Sequence, residues 1–184
     1  MRPLDPLVDA FLASEYAHSP VLASALGLTA YDDRLDDLSA SSFIERDADA
    51  RAWLARFEAQ SDGELTAAER IDRDLAIAML RGRVVQAEWQ GWKRDPLVYS
   101  GPIVSGIFGL FLHRLRPEDE LVDAACARLA QARRALEQGR ANLDPSLADG
   151  LIVERAIGSA KGGARYVRDL LPNETAVPEL RERL

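Results

Sequence analysis

The sequence predicts an all-α fold, a bundle of about six or seven helices of ordinary length with no significant sheet. Three observations predict it. Apolar residues recur at three- and four-residue spacing along most of the 184 residues. Segment after segment opens on a helix-start signature, either Ser/Thr-x-x-Glu or proline followed by acids. Strand-like runs are confined to Ile103-Val104 and Leu151-Ile152-Val153, and both sit inside helical stripes.

Leu4, Leu7, Val8, Phe11, Leu12 and Glu15 outline a first amphipathic helix ending near Tyr16. Ser19-Pro20 reads as N-cap plus first helical position, and Gly27 as the stop of a short second helix. An acidic loop follows, Tyr31-Asp32-Asp33-Arg34-Leu35-Asp36-Asp37. Ser42-Phe43-Ile44-Glu45 has capping-box form, and Phe43, Ala50, Trp53, Leu54 and Phe57 share one face behind it. Asp62-Gly63 breaks the chain, and Thr66-Ala67-Ala68-Glu69 is a second capping box. It opens a long stripe, Ile71, Leu75, Ala78, Met79, Gly82, Val85 and Trp89, expected to end before Asp95-Pro96.

The segment Ile103 to Leu112 is apolar all round, the pattern of a helix buried on every side. Pro117-Glu118-Asp119-Glu120 starts a helix striped by Leu121, Ala125, Leu129, Ala132 and Leu136. Asp144-Pro145 opens the last long helix, which carries Leu147, Leu151, Ile157, Ala164, Val167 and Leu171 and has glycines at 158, 162 and 163. Residues 1–172 read as a single helical domain. Residues 173–184 read as a linker and the start of a truncated helix, Pro178-Glu179-Leu180-Arg181-Glu182-Arg183-Leu184, so that the chain resembles the N-terminal part of a larger protein.

Bulk properties narrow the function. A net charge of -7 lacks the basic footprint of a nucleic-acid binder and would be repelled by anionic membranes. Lys93 and Lys161 are the only lysines among 23 basic residues, a skew that fits base composition of the gene more simply than selection for anion binding. Cys126 is the single cysteine, so no intrachain disulfide forms. The N-terminus has no long apolar stretch of signal-peptide type, and Ile103–Leu112 is too short to span a bilayer. The expectation is a cytoplasmic protein with no nucleic-acid or membrane partner.

No catalytic constellation emerges, and no catalytic or metal-binding residue is assigned. An EF-hand reading of the acidic loop from Asp32 fails, because its glycine and bidentate-acid positions hold Asp37 and Phe43. A solvated turn that caps a helix is the simpler reading. His18, His113 and Cys126 lack zinc-ligand spacing. The run Gly158-Ser159-Ala160-Lys161-Gly162-Gly163 lacks the lysine position, hydroxyl and preceding strand of a phosphate loop. Glu88 and Glu154 suggest partly buried acids paired with arginine. Trp89 to Pro102 packs two tryptophans, a tyrosine, two prolines and two glycines into one corner, and such shaped loops can line a cleft. Trp92, Asp95 and Tyr99 are the cleft-lining candidates, set against a plain packed corner between helices.

Together these residues resemble a known family. Ser19-Pro20, Leu26-Gly27-Leu28 and Tyr31-Asp32-Asp33-Arg34-Leu35-Asp36-Asp37-Leu38-Ser39 look like the N-terminal signature of the bacterial domain-of-unknown-function 885 family. Asp72-x-Asp74-Leu75, Glu88 and Trp92-Lys93-Arg94-Asp95-Pro96-x-x-Tyr99 continue the match. Arg128-Leu129, Ala141-Asn142-Leu143 and Glu154-Arg155-Ala156 complete it. One departure is Ala130-Gln131-Ala132-Arg133, where family members often carry Ile-Pro.

The resemblance implies an all-helical, metallopeptidase-like architecture in proteins longer than this chain. Zinc would then bind a His-Glu-containing helix in a C-terminal part that this sequence lacks. No catalytic or metal residue transfers to this chain, and no cofactor is expected in it. The leading expectation is a helical wall of a substrate cleft, inactive alone. The alternative is a stand-alone helical binding or interaction module, and a helical transcription regulator is disfavoured by the charge. Expected partners are the C-terminal half or a second copy meeting through exposed apolar faces.

Overall fold

The structure, a computed structural model, describes residues 4–184; the first three residues of the N-terminal reading lie outside it. The described residues form eight α-helices joined by short 3-10 turns, and no strand occurs among them. The all-α expectation holds. Backbone contacts group the chain into two compact units, Met1–His18 with Ser41–Gly91, and Ser19–Ala40 with Trp92–Leu184. Composition carries no mark of this division, because the two units alternate along the chain.

The first unit contains α1 (Asp5–His18), nearly all of α3 (Ala40–Glu58) and α4 (Ala67–Trp89). Leu4, Phe11, Ala50, Trp53, Phe57, Leu65, Ala76 and Leu80 form its core. Phe11 lies edge-on to both Trp53 and Phe57, at 5.6 and 5.5 Å between ring centroids, an arrangement aromatic quadrupoles favour. The Thr66 box is formed in full: Glu69 N donates to Thr66 Oγ1 at 3.3 Å, and Thr66 N donates to Glu69 Oε2 at 3.0 Å. The Ser42 box does not start a helix. The α3 helix begins two residues earlier, and Ser42 is buried inside its first turn.

In α4 the apolar stripe read from the sequence faces solvent. Ile71, Leu75, Met79, Val85 and Trp89 are exposed, whereas Ala76 and Leu80 are buried, with Ile77 and Val84 packed beside them. Both faces of this helix carry apolar residues at helical spacing, so spacing alone cannot tell which one meets the core.

The second unit contains α2 (Pro20–Ala25), α5 (Leu97–His113), α6 (Glu118–Asn142), α7 (Gly150–Arg165) and α8 (Pro178–Arg181). The α2 stop is of Schellman type: Gly27 N donates to Ser24 O at 2.9 Å and Leu28 N to Ala23 O at 3.0 Å. Gly27 has φ +91°, the left-handed region where glycine carries no steric penalty. The α5 helix starts six residues before the apolar run and continues through Pro102. It is not buried all round: Tyr99, Ile103, Gly106, Ile107, Leu110 and Phe111 are buried, while Phe108 and Leu112 are exposed.

In α6 the buried face shifts from the predicted stripe. Leu121 and Ala125 belong to it, but farther on it runs through Arg128, Ala135 and Gly139, leaving Leu136 exposed. Asp149, not Asp144, caps the last long helix, accepting from Leu151 N and Ile152 N at 2.9 and 3.2 Å. That helix passes into a π-helical turn at Tyr166–Leu170. Residues 173–184, expected as a linker and helix start, are packed in this unit. Thr175 is buried and donates to Glu118 Oε2 at 2.8 Å, and α8 lies against α6. No single helix among the described residues is long and apolar enough to cross a membrane.

Candidate functional site

The acidic loop between α2 and α3 is the most heavily anchored irregular segment of the second unit. Four side chains of α6, at 128, 131, 138 and 142, hold it. These spacings of three, seven and four put them on one face of a helix. Arg128 Nε donates to Arg34 O at 3.0 Å and Nη2 to Tyr31 O at 3.2 Å, while Nη1 donates to Gly106 O in α5. Gln131 accepts from Leu35 N at 3.1 Å and donates to Asp33 O at 2.7 Å. Gln138 accepts from Leu38 N at 3.2 Å and donates to Asp37 Oδ1 at 2.7 Å. Asn142 donates to Leu38 O at 2.9 Å. A loop outside any helix has orphan backbone groups, and α6 satisfies them with side-chain amides and a guanidinium.

Arg128 is 1% exposed. Burial pushes its guanidinium below the ordinary arginine value, and the charges of Asp32, Asp36 and Asp33 oppose that shift. The planar fork suits this position because one side chain reaches three carbonyls in different directions. Gly106 lets it in: a Cβ there would lie 3.3 Å from Arg128 Nη1.

The loop acids are structural as well. Asp32 is buried, accepts from Ser24 Oγ at 2.6 Å and faces Arg116 Nε at 3.3 Å. Asp36 accepts from Val21 N at 3.1 Å, so the α2 N-terminus is capped from fifteen residues away, while Ser19 makes no side-chain cap. Burial raises the Asp37 carboxyl, but hydrogen bonds from Ser39 N, Gln138 and Ser39 Oγ outweigh this and hold it below the ordinary aspartate value. The expected helix-capping turn is therefore present, but Asp32 and Asp36 are buried rather than solvated.

Beside this loop lies a polar recess of about 370 Å³, lined by Asp32, Asp33, Arg116, Glu120 and Asp123 among others. Its charges are largely matched internally. Arg116 also donates to Thr29 O at 2.7 Å and to Glu120 Oε2 at 3.0 Å, and Asp123 pairs with Arg183.

The three candidates from the Trp89–Pro102 segment come together as a packed corner. Tyr99 is 2% exposed and donates its hydroxyl to Trp92 O. Asp95 Oδ1 accepts from Leu97 N at 2.8 Å at the start of α5, and its other oxygen lies 3.7 Å from Arg155 Nη2. Gly139 makes room for the Tyr99 ring, since a Cβ there would sit 2.5 Å from Tyr99 Cγ. Burial raises the Tyr99 phenol above its ordinary value, with a hydrogen bond to Asn142 working the other way. Tyr166, in the π turn, is pushed up to about 12 by burial and by Glu174. Glu88 and Glu154, expected as partly buried acids, are exposed. Within the described helices the buried acid is Glu69 and the buried base Arg128, both at positions whose polarity sets them outside any apolar stripe.

Zinc asks for several nitrogen, sulfur or carboxylate ligands at one point. His18 Nε2 lies 2.8 Å from Asp49 Oδ2, and Cys126 Sγ is 3.5 Å from Arg183 O. Among the described residues no three His, Cys, Asp or Glu side chains gather as a metal site. These residues do not fit a zinc ion, and no chemical step through one is assigned to the chain.

No curated protein and no solved structure gives a significant match to the chain. A family model does, that of the bacterial proteins of unknown function DUF885, over residues 20–182. The match takes in the acidic loop, the α6 residues that hold it and the Trp92–Tyr99 corner. The chain belongs to the DUF885 family.

Proposed function

We propose that this chain is a non-catalytic helical scaffold of a metallopeptidase-like protein. It forms one wall of a substrate cleft and acts in the cytoplasm. Any zinc would be held by residues outside this chain. The reading rests on where the polar side chains of α6 and of the acidic loop direct their polar atoms. Arg128, Gln131, Gln138 and Asn142 turn to the backbone of the chain itself, and Asp32 and Asp36 are buried against it. Groups committed in this way shape a surface and hold it rigid. The Trp92 corner, fixed by Tyr99 and Asp95, supplies a stiff edge for such a wall.

Elemental analysis of the purified chain after dialysis should find well under one zinc per chain, and a mixed peptide library should stay intact. One tightly held zinc per chain, or peptide cleavage abolished by a chelator, would overturn the reading. The alternative, an interaction module without chemistry, draws support from the exposed apolar face of α4.

A further inference from the structure

The outer face of α4 repeats with the period of a coiled-coil seam. Ile71, Leu75, Ala78, Gly82, Val85 and Trp89 are spaced four, three, four, three and four residues apart. A 3.5-residue average keeps such positions on one line facing a partner helix. The inner face of the same helix, through Ala76 and Leu80, is already buried in the first unit, so the seam is a second, separate apolar surface. Along it Ile71 and Leu75 are each 69% exposed, Val85 67%, Trp89 51% and Met79 41%.

We propose that this seam pairs with the same seam of a second copy, giving an antiparallel, two-fold homodimer centred near residue 80. The pattern of side-chain sizes is self-complementary about that point. Ile71 meets the partner's Trp89, Leu75 meets the partner's Val85, and the small residues Ala78 and Gly82 face each other at the middle. Nothing lies within 4 Å of where a Cβ on Gly82 would be, so its missing side chain serves no packing inside its own chain. Small residues at a crossing let two helix backbones approach closely, and antiparallel helices align their dipoles favourably.

The area suffices. Covering five large side chains with these exposures removes on the order of 600 Å² per copy, which brings two copies to the roughly 1,200 Å² where specific interfaces begin. The charges beside the seam are largely answered within each chain. Arg81, which comes near its own copy at the two-fold, is 2.6 Å from Glu58, and Asp74, which comes near the partner's Glu88, is 2.8 Å from Arg73.

Sedimentation equilibrium across a concentration series tests the pairing. The wild-type chain should sediment as a dimer at tens of micromolar. Leu75→Glu and Val85→Glu each place a charge opposite the other's position and should raise the dissociation constant about 100-fold or more. Both positions are exposed in the single chain, so both variants should keep the wild-type far-UV circular dichroism. A wild-type monomer throughout the series would overturn the proposal, as would a Leu75→Glu chain that dimerises as well as wild type. Zinc content and peptidase activity do not enter this readout, so the scaffold reading stands or falls separately.

Discussion

Replacing Arg128 with alanine should destabilise the second unit by about 3–5 kcal/mol, the range observed when one partner of a buried charged network is removed. The loss has two sources. Three carbonyls, of Tyr31, Arg34 and Gly106, lose a charged donor at once, although Tyr31 O keeps its bond from Arg34 N, and a hydrogen bond to a charged group contributes roughly 1.5–3 kcal/mol. A cavity also opens between the acidic loop, α5 and α6. Arg128→Met keeps much of the volume and removes the buried charge, so its loss should be the smaller. Arg128→Lys keeps the charge as a point and cannot reach three carbonyls, so it should resemble alanine more than wild type. Urea unfolding followed by far-UV circular dichroism gives the ranking. A loss below about 1 kcal/mol for Arg128→Ala would show that the guanidinium does not hold this loop.

Glu69→Ala should cost the first unit about 2–4 kcal/mol, more than an ordinary helix cap, for which roughly 1 kcal/mol is typical. Glu69 is fully buried, and its two oxygens do separate jobs. Oε2 accepts from Thr66 N and Oγ1, closing the start of α4, while Oε1 accepts from Leu4 N at 3.0 Å, fixing the entry to α1. Thr66→Ala removes the hydroxyl partner alone and should cost the typical cap value. Glu69→Gln turns an amide NH₂ toward a backbone donor and should recover only part of the loss. Thermal unfolding of the three variants checks the order. Equal effects from Thr66→Ala and Glu69→Ala would mean that the contact to Leu4 contributes nothing.

What was legible in the sequence was what local rules encode. The helix class, the Thr66 box, the Gly27 stop and the Pro117 start all rest on residues within a few positions of one another. Facing was not legible wherever a helix is apolar on more than one side. For α4 the conspicuous stripe is the outer one, and the core takes the sparser set around Ala76 and Leu80. For α6 the face toward the acidic loop contains a buried arginine and two half-buried glutamines because it meets a loop backbone there. The partners lie about a hundred residues away, so no local pattern points to them. A sequence signal did exist, namely polar residues at 128, 131, 138 and 142 in helical register, and reading only apolar stripes passed it over. The Trp92, Asp95 and Tyr99 group was legible as a corner, but the packing that fixes it depends on Gly139, a residue unremarkable in sequence.

The α6 side chains hold the acidic loop of the DUF885 match as a rigid structural element. Native-state amide hydrogen exchange at Leu35 and Leu38 tests it most directly, because these two amides donate to the side chains of Gln131 and Gln138. Both should exchange at least about 100-fold more slowly than in an unstructured chain. Exchange of both amides at unstructured rates in the folded protein would mean that α6 does not hold the loop.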